Sequence, residues 1–571
     1  MASFLKTCLR LREWTHHARF DRATRDPEAA QAAGLRALLR RNADTVFGRE
    51  HGFGGIASPA EYARRVPIRD YEGFRPYVNR IVAREGRVLT AEPPVMFTTT
   101  SGTTGEPKLI PVTASWAAEL GALTRLWLVH LLRDHPRCLD GRTLSIVSPA
   151  VEGVTATGIP CGAMSGVLYQ RIPWLVRRHH AVPYAVFLVR DCETRYFLTM
   201  RFALAHSVSV VGAPNPSSLI RLVETAAARS EAIVRAVHDG TLGLAVPRDE
   251  SGSVRAGLDE LAAGLRPDPG RARALAGILQ RDSALSPKTC WPELTLLACW
   301  LGGTAGIHAR RLAEYYGGDV PLRDLGLVAS EGRVTIPVED DSPAGVLAVH
   351  AGFYEFVPEE RIEDPSPPVR LAHELEDGRR YYVVLSGANG LYRYDLNDIV
   401  EVRGYHHRTP KLAFVRKGRD MVNITGEKLH VNQVQAAVRQ AEERSGLDVW
   451  QFRLIPDVDA SCYDLLVECR TGAPADSQGL TFLGGFDAAL GTLNVEYAAK
   501  RASKRLGPPR LCLMRPDWAE RVSRAEFRGG KREVQHKWAA IRLEWDDASG
   551  REVLRRLGPV TAEAPRPVES R

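Results

Sequence analysis

The residues that could do chemistry are concentrated in one short segment of the chain. Thr98–Lys108 contains a run of hydroxyl side chains, two glycines and a lysine. Glycine lets the backbone approach an anion closely, and backbone N–H groups and hydroxyls then donate hydrogen bonds to phosphate oxygens. The lysine adds a positive charge. The pattern predicts a loop that binds a polyphosphate, with these candidate ligands: Thr100, Ser101, Gly102, Thr103, Thr104, Gly105 and Lys108.

This loop differs from the Walker A loop of P-loop kinases and GTPases. That motif places Gly-Lys-Ser/Thr at the start of a helix. Here Pro107 precedes Lys108, and the following Leu109–Thr113 has the composition of a strand. We therefore expect a phosphate loop between two strands, the first at Val95–Phe97. On its own, the segment is also compatible with a Ser/Thr/Gly-rich surface turn.

Two carboxylates further along the chain fit the same chemistry. Glu331, next to Ser330 in Gly326–Gly332, follows a predicted strand and could hold Mg²⁺ against phosphates. Asp398 lies between a predicted turn and an apolar strand, where a carboxylate could bind both ribose hydroxyls, and Tyr392 precedes it. We count Ser330 and Tyr392 as nucleotide contacts. The alternatives are an exposed glutamate in a turn and an aspartate that starts a strand.

The late part of the chain offers a hinge and two catalytic lysines. Charged residues surround a glycine at Arg416–Lys428, which suits a hinge, and Arg419 is also counted as a nucleotide contact. The glycine-rich segment Gly529–Lys537 carries Lys531 and Lys537. A lysine there could stabilise charge that develops in an in-line displacement. An ordinary linker and a solvated charge run are the alternatives.

Composition limits the class of protein. The 571 residues carry a formal charge of +8, from 76 basic and 68 acidic side chains spread along the chain, which suits small anionic substrates without implying nucleic acid. The nine cysteines are scattered and form no C-x-x-C pair, so neither a disulfide framework nor a zinc site is indicated and a reducing cytoplasm fits best. No apolar run reaches 18 residues, so no membrane helix is expected.

Strand and helix signals alternate along the first three hundred or so residues, which predicts an α/β architecture. The expected elements there are strands Leu144–Ser148, Ser207–Val211 and Leu294–Trp300, a helix over Ser115–Leu132, and a helix from Asn215-Pro216 to Ala228. Successive strands over Gly352–Gly404 predict an antiparallel or barrel-like subdomain. An α+β pattern follows, with helix Val431–Glu443, strand Tyr463–Glu468 and a helical region over Gly485–Arg505.

A chain of this length needs more than one hydrophobic core. We expect a large N-terminal α/β domain with a β-rich subdomain over residues 1–416, a hinge at 417–420, and a smaller mobile α+β domain over 421–557. Residues 558–571 are predicted to be a disordered tail. The active site is expected between the two domains.

Taken together, these segments resemble the acyl-adenylate-forming (ANL) superfamily. Within it, the chain is similar to the auxin-responsive Gretchen Hagen 3 family of acyl-acid amido synthetases, in a form that looks bacterial. The resemblance runs from about residue 30 to about residue 540 and is carried by further motifs, which are Phe47–Phe53, Arg65–Tyr71, Lys108–Pro111, Asn215–Leu219, Gly302–Ala305, Ala329–Gly332 and Phe353–Pro358.

Three positions bear on how close this resemblance is. Leu109 follows the lysine of the phosphate loop as in the amido synthetases, where general acyl-CoA synthetases usually carry glycine. Asn397 stands where a glycine commonly precedes the ribose aspartate, so the local turn lacks its usual residue. Trp538 follows Lys537 where smaller residues are usual.

The resemblance implies a two-step reaction with ATP and Mg²⁺. A small carboxylic acid attacks the α-phosphate of ATP, and an amine, usually of an amino acid, then attacks the acyl-adenylate to give an amide and AMP. By resemblance, the phosphate loop with Lys108 holds phosphates, Glu331 holds Mg²⁺, Asp398 holds the ribose, and Lys537 or Lys531 is catalytic. A monomer is favoured, and neither nucleic acid nor a membrane is expected as a partner.

Other functions remain open from the sequence. A thiol of CoA or of a carrier protein could replace the amine, and a nucleotide-binding scaffold without activity is the alternative of another class. No motif identifies the acid or the acceptor. The glycine-rich apolar stretch Val151–Gly166 could line the acyl pocket or form a plain loop.

Overall fold

The computed structural model describes residues 17–558, except for 101–107, 247–249, 304, 363, 365, 419–420, 423, 425–426, 428, 458–459, 503–505, 529–537 and 543. The chain divides into two compact units, Met1–Val415 and Arg416–Arg571. The hinge predicted at 417–420 and its motion stay predictions. Of the predicted tail, all but Gly558 lies outside the described residues.

The described part of the first unit contains three sheets. Its strands, in chain order, are β1 Pro94–Thr100, β2 Lys108–Thr113, β3 Arg142–Ser145, β4 Gly153–Val154, β5 Pro160–Gly162, β6 Val208–Gly212, β7 Leu296–Cys299, β8 Leu322–Asp324, β9 Thr335–Ile336, β10 Ala344–Leu347, β11 Phe353–Pro358, β12 Arg370–Leu371, β13 Arg380–Ser386, β14 Tyr394–His406 and β15 Thr409–Lys417. Strand β15 ends just beyond the boundary of the unit.

Each sheet of the first unit has its own topology. One has the order β2-β1-β5-β4 with β1 and β2 antiparallel, and another is the parallel sheet β3-β6-β7-β8. The third has seven strands in the order β12-β11-β13-β14-β15-β10-β9, with β13 antiparallel to both β11 and β14. The parallel strands β6 and β7 are short apolar runs because both of their faces are covered.

Helices surround these sheets. In the described part of the first unit they are 17–25, Pro27–Arg41, Val46–Glu50, Pro59–Arg65, Tyr71–Val82, Ala114–Asp134, Met164–Arg171, Trp174–Arg177, Tyr184–Phe187, Cys192–Leu204, Pro216–Ala228, Ser230–Asp239, Gly252–Gly264, Pro269–Asp282, Pro287–Cys290, Ala305–Ala309 and Leu312–Tyr316. Single turns of 3₁₀ helix lie at Phe53–Gly55, Glu359–Arg361 and Ala372–Glu374.

Local sequence explains where several of these helices begin. The side chain of Ser58 accepts a hydrogen bond from the N–H of Glu61 over 3.2 Å, directly before Pro59. Thr113 caps the helix Ala114–Asp134 in the same way, and this helix buries Leu120, Leu123 and Leu126. Capping residues satisfy N–H groups that have no partner inside the helix, so these starts can be read from the sequence.

The second unit is an α+β domain. Its strands are β16 Met421–Val422, β17 Leu429–His430, β18 Val449–Asp457, β19 Cys462–Cys469, β20 Arg510–Met514 and β21 Val553–Leu557, and its described helices are Val431–Ser445, Asp476–Leu493, Val495–Ala502, Trp518–Arg528 and Asp547–Arg551. The sheet β18-β19-β20-β21 is covered on both faces at its central strands β19 and β20. Leu465 faces the first two helices and Leu466 faces Trp518, as strand alternation requires.

The α/β class, the strand-rich region after Gly352 and the α+β pattern at the end are confirmed. Some boundaries differ. The strand expected at Leu144–Ser148 is Arg142–Ser145, and the last long helix begins at Asp476, not at Gly485. Glycine disfavours helices, but Gly485 is buried inside this helix and packs against Ala441 of the neighbouring helix.

No helix in the described part of the chain is both long and apolar enough to cross a membrane.

Candidate active site

Three loops leave the parallel sheet at one edge, and the loop after β8 carries the predicted site residues Ser330 and Glu331. Strands β6, β7 and β8 are neighbours and run in the same direction, so their carboxyl ends lie together. The N–H of Trp300, after β7, donates to Pro214 O over 3.0 Å, and its indole N–H donates to Gly326 O over 3.1 Å. This is the edge at which open α/β sheets bind ligands.

Asp324, at the end of β8, joins two of these loops and was missed by the sequence analysis. One carboxylate oxygen accepts the N–H of Leu301 over 2.7 Å and the other accepts that of Gly326 over 2.5 Å. The side chain is buried, and this burial raises the pKa of Asp324 to about 7. The signal that could have identified it is an acidic residue at the end of a short strand, two residues before Gly326.

Glu331 lies on a tight turn and is only partly buried. The turn is closed by backbone hydrogen bonds between Ala329 and Gly332, of 2.9 and 3.2 Å. The hydroxyl of Tyr394 donates to Oε1 of Glu331 over 3.2 Å, and Nδ2 of Asn389 donates to its backbone oxygen over 3.0 Å. The carboxylate is therefore oriented by Tyr394 but is still partly open to solvent, so it can accept a cation. Ser330, beside it, is also partly exposed.

Asp398 lies inside β14, the strand that begins with Tyr394, and is 2% exposed. The sequence analysis had placed it before a strand. Asn397 has φ of +53° and takes the left-handed conformation, which asparagine tolerates better than most residues. Its N–H donates to Oδ1 of Asp395 over 2.7 Å. The missing glycine before Asp398 therefore leaves the local turn intact.

Tyr392, which the sequence analysis counts as a nucleotide contact, is a core residue in the structure. Its side chain is fully buried, its hydroxyl donates to Leu89 O over 2.6 Å, and its ring packs on Phe47 and Phe53. A ring enclosed in this way has no surface left for a nucleotide. Tyr394, two residues later, is the aromatic residue that reaches Glu331.

Arg393, between these two tyrosines, anchors the start of β14. Its guanidinium donates to Oε2 of Glu355 over 2.8 Å and to the backbone oxygens of Ala63 and Val66 over 2.8 and 2.7 Å. Both members of this ion pair are buried. The contact ties the strand of Asp398 to the end of the helix Pro59–Arg65.

The phosphate loop starts and ends in a regular antiparallel pair. Thr100, of which only the backbone is described, pairs with Lys108, and the residues between them lie outside the described part. The N–H of Leu109 donates to the hydroxyl of Tyr71 over 2.7 Å, and Nζ of Lys108 lies 5.7 Å from the centre of the same ring. Tyr71 therefore fixes the end of the loop that carries the lysine.

The remaining predicted residues lie outside the described part of the chain. They are Ser101, Gly102, Thr103, Thr104, Gly105, Arg419, Lys531 and Lys537. The unusual Trp538 is described. Its indole N–H donates to Phe452 O over 2.7 Å, and the Arg453 guanidinium lies 4.1 Å from its ring centre. A large residue is tolerated after Lys537 because it fills a site in the core of the second unit.

The fold is similar to that of solved synthetases and ligases. The structure matches a solved GH3.15 acyl acid amido synthetase with a TM-score of 0.80 and 20% identity, covering 93% of this chain and 95% of that one. It also matches a 2-hydroxyisobutyryl-CoA ligase with a TM-score of 0.51 and 13% identity, covering 90% of this chain and 88% of that one.

The chain belongs to the GH3 family. Residues 16–322 match the GH3 family N-terminal domain, 345–417 the central domain and 432–542 the C-terminal domain. A jasmonoyl–L-amino acid synthetase of Oryza sativa subsp. japonica is 26% identical over 535 residues, covering 87% of this chain and 89% of that protein. An indole-3-acetic acid-amido synthetase of Oryza sativa subsp. indica is also 26% identical, covering 88% and 86%. The resemblance inferred from the motifs is confirmed.

Proposed function

We propose that this protein is an AMP-forming acyl-acid amido synthetase. It would adenylate a small carboxylic acid with ATP and pass the acyl group to an amine, in the first instance that of an amino acid. The observation that carries the proposal is the match to all three domains of the GH3 family along one chain. The two rice relatives are named as synthetases that join an acid to an amino acid or form an amide.

The two steps follow from the chemistry of the carboxylate. A carboxylate is a poor electrophile, because its oxygen is a poor leaving group. Its attack on the α-phosphate of ATP releases pyrophosphate and forms a mixed anhydride from which AMP departs readily. The nitrogen lone pair of the amine then attacks the acyl carbon, an amide bond forms, the bond to AMP breaks, and the amine loses a proton.

The described residues suit these roles. Lys108 and the loop before it would bind the phosphates, and Asp398 would bind the ribose. Glu331 fits Mg²⁺, which binds through one or two carboxylates and substrate phosphates and does not require a cage of protein ligands. In the described residues no group of three or more His, Cys, Asp or Glu could hold a metal. Bound there, Mg²⁺ would neutralise charge on the departing pyrophosphate.

Further roles belong to the proposal. Ser330 and Arg419 remain assigned to the nucleotide, and Tyr394 is assigned to orienting Glu331. Lys537 is the first choice for the catalytic lysine and Lys531 the second. We also propose that the reaction takes place in the cytoplasm and that the protein is a monomer.

ATP–pyrophosphate exchange tests adenylation. Purified protein, Mg²⁺ and a library of aryl and alkyl acids should give exchange with one class of acid, and Lys108→Ala and Asp398→Ala should remove it. Exchange that survives both substitutions would contradict the roles of these residues. Absence of exchange with every acid, despite ATP binding, would favour the scaffold.

The acceptor can be identified by analysing the products formed with the acid that supports ATP–pyrophosphate exchange. An amide with an amino acid supports the proposal, whereas a thioester formed with CoA or a carrier protein supports the alternative ligase.

The hinge is tested separately, with Asp420→Pro. We expect this change to impair one half-reaction more than the other, since a rotation would separate adenylation from amide formation. Equal losses in exchange and in amide formation would argue against a hinge there.

A further inference from the structure

Four histidine rings lie together where the helix 17–25 docks on the first unit. Three of them, from three different segments, surround the ring of Phe20 with ring centres 5.7, 5.6 and 5.9 Å away, and these are His130, His350 and His406. The fourth is His17, on the helix itself, whose ring centre lies 5.1 Å from that of His130. The helix is therefore docked through rings that can each take up a proton near neutral pH.

The docked helix connects two elements that carry or follow proposed site residues. Phe20 shares a buried apolar cluster with side chains of the helix Ala114–Asp134, which follows the phosphate-loop strand β2. His406 is the last residue of β14, the strand that contains Asp398. The helix 17–25 thus joins the element that follows the phosphate loop to the end of the strand of Asp398.

His130 suits the docked state only as a neutral ring. It is 1% exposed, and neither of its ring nitrogens has a hydrogen-bond partner among the described residues. A charged imidazolium in that position would be buried without an acceptor, which is costly. Burial lowers the pKa of His130 to about 3, and of the charges that face it, those of Arg133, His17 and His406 act in the same direction and only that of Asp134 opposes them.

His406 is disfavoured as a cation for similar reasons. Burial lowers its pKa, and the ring of His407, with its centre 4.4 Å away, acts in the same direction. Lys411 also opposes a proton on His406, whereas Asp21 and Glu339 favour one. Glu339 is already paired with Lys411 over 3.0 Å, so it compensates little.

The remaining charges at the docked helix are on partly exposed groups. Nε2 of His407 lies 3.6 Å from Oδ1 of Asp21, so a proton on His407 strengthens docking. Asp21 is also paired with Arg25 over 3.2 Å, and exposed pairs of this kind contribute little. Arg19 donates to His350 O over 3.4 Å and places a positive charge at that residue. The buried rings therefore decide the direction of the pH effect.

We propose that the helix 17–25 is an acid-released clamp, which undocks from the first unit when protons bind to His130 and His406 as the pH falls from 7.5 to 5. Undocking opens these rings to water, where a histidine holds a proton more tightly than in the docked state. Docking is therefore fully favoured above the ordinary histidine pKa and is lost progressively below it. The inference goes beyond the proposed function and does not depend on it.

The size of the effect follows from the two states of His130. Its pKa is about 3 while the helix is docked and about 6.5 once the ring is in water. Between pH 7.5 and 5, the equilibrium constant for docking should therefore fall by about 30-fold. His406 adds to this fall in the same direction.

Amide hydrogen exchange of the full chain tests the clamp without any substrate. The protection of the helix 17–25, corrected for the intrinsic pH dependence of exchange, should fall by about 30-fold between pH 7.5 and 5. The helix Ser230–Asp239 of the same unit is the internal reference and should lose less protection. His130→Phe keeps an aromatic ring in place and removes no hydrogen bond that the structure describes, so it should remove most of the fall at 17–25.

His238→Phe is the control, because His238 is an exposed histidine paired with Asp239, and it should behave as wild type. If His130→Phe does not fold, His406→Phe decides, since this ring is partly exposed, and it should remove part of the fall. Protection of 17–25 that does not change with pH overturns the inference, and so does a fall that the variants retain. An equal loss of protection in Ser230–Asp239 would mean global unfolding and overturns it as well. None of these outcomes bears on the proposed function, which the exchange of pyrophosphate tests.

Discussion

Tyr394 donates its hydroxyl hydrogen to the Glu331 carboxylate over 3.2 Å, across 63 residues of sequence. The bond joins the first residue of β14 to the turn after β8. The strand that contains Asp398 is thereby connected to the turn that contains Glu331. The two carboxylates assigned to Mg²⁺ and to the ribose are thereby linked through a single side chain.

Replacing Tyr394 by phenylalanine should weaken metal activation. The ring is kept and the hydrogen bond that orients Glu331 is lost. Loss of such an outer partner typically costs 10-fold or more in metal affinity, so we expect the Mg²⁺ concentration for half-maximal exchange to rise by about 10-fold. Tyr405→Phe is the matched control, because it lies on the same strand and its hydroxyl donates to Leu375 O, away from Glu331. An unchanged Mg²⁺ dependence would contradict the orienting role.

Replacing Tyr392 by phenylalanine should affect stability and not nucleotide binding. Its buried hydroxyl donates to Leu89 O, and removing it leaves that oxygen without this partner. We expect a loss of about 1–2 kcal/mol in the free energy of unfolding, measured with urea, and an unchanged KM for ATP in exchange. A raised KM with unchanged stability would restore Tyr392 as a nucleotide contact.

Glu355→Gln should destabilise the first unit strongly. It leaves the buried guanidinium of Arg393 without its counter-charge, and breaking a buried pair from one side costs about 3–5 kcal/mol. Glu401→Gln in the same sheet is the control, since Glu401 pairs with the half-exposed Arg380 over 3.0 Å. Such a pair contributes at most about 1 kcal/mol. Denaturant unfolding of the full chain measures both, and equal losses would contradict the burial argument.

The stability of the second unit should depend on pH through Glu468. Burial raises the pKa of Glu468 to about 7, although the N–H groups of Asp517 and Ala519 donate to it and oppose the rise. The folded state therefore binds this proton more tightly than the unfolded state. The resulting stabilisation is complete below the ordinary glutamate pKa and is lost as pH rises to about 7.

Glu468→Gln removes this titration. Between pH 4.5 and 7, the unfolding free energy of wild type should fall relative to that of the variant by up to about 3 kcal/mol. Urea unfolding at both pH values gives the difference, with Glu443→Gln at an exposed position as the control. Parallel pH profiles of wild type and Glu468→Gln would show that Glu468 does not carry the effect.

Much of the architecture could be predicted because its causes are local. The starts of the helices at Pro27, Pro59 and Pro216 follow from the residue before each proline. The two strands around the phosphate loop can be predicted from residues within a few positions of the loop. The strand-rich region after Gly352 can be predicted from the turns within it. The phosphate loop, Glu331 and Asp398 were candidates because their motifs are contiguous.

The choice between Tyr392 and Tyr394 was beyond the sequence, because both stand in one aromatic and basic run. Tyr392 is a core residue only because Leu89 O and Phe47 lie against it, and Tyr394 reaches Glu331 only because β14 starts there. Asp324 was missed for the same reason. Its partners lie on two different loops, and burial, which raises its pKa, exists only after those segments have packed.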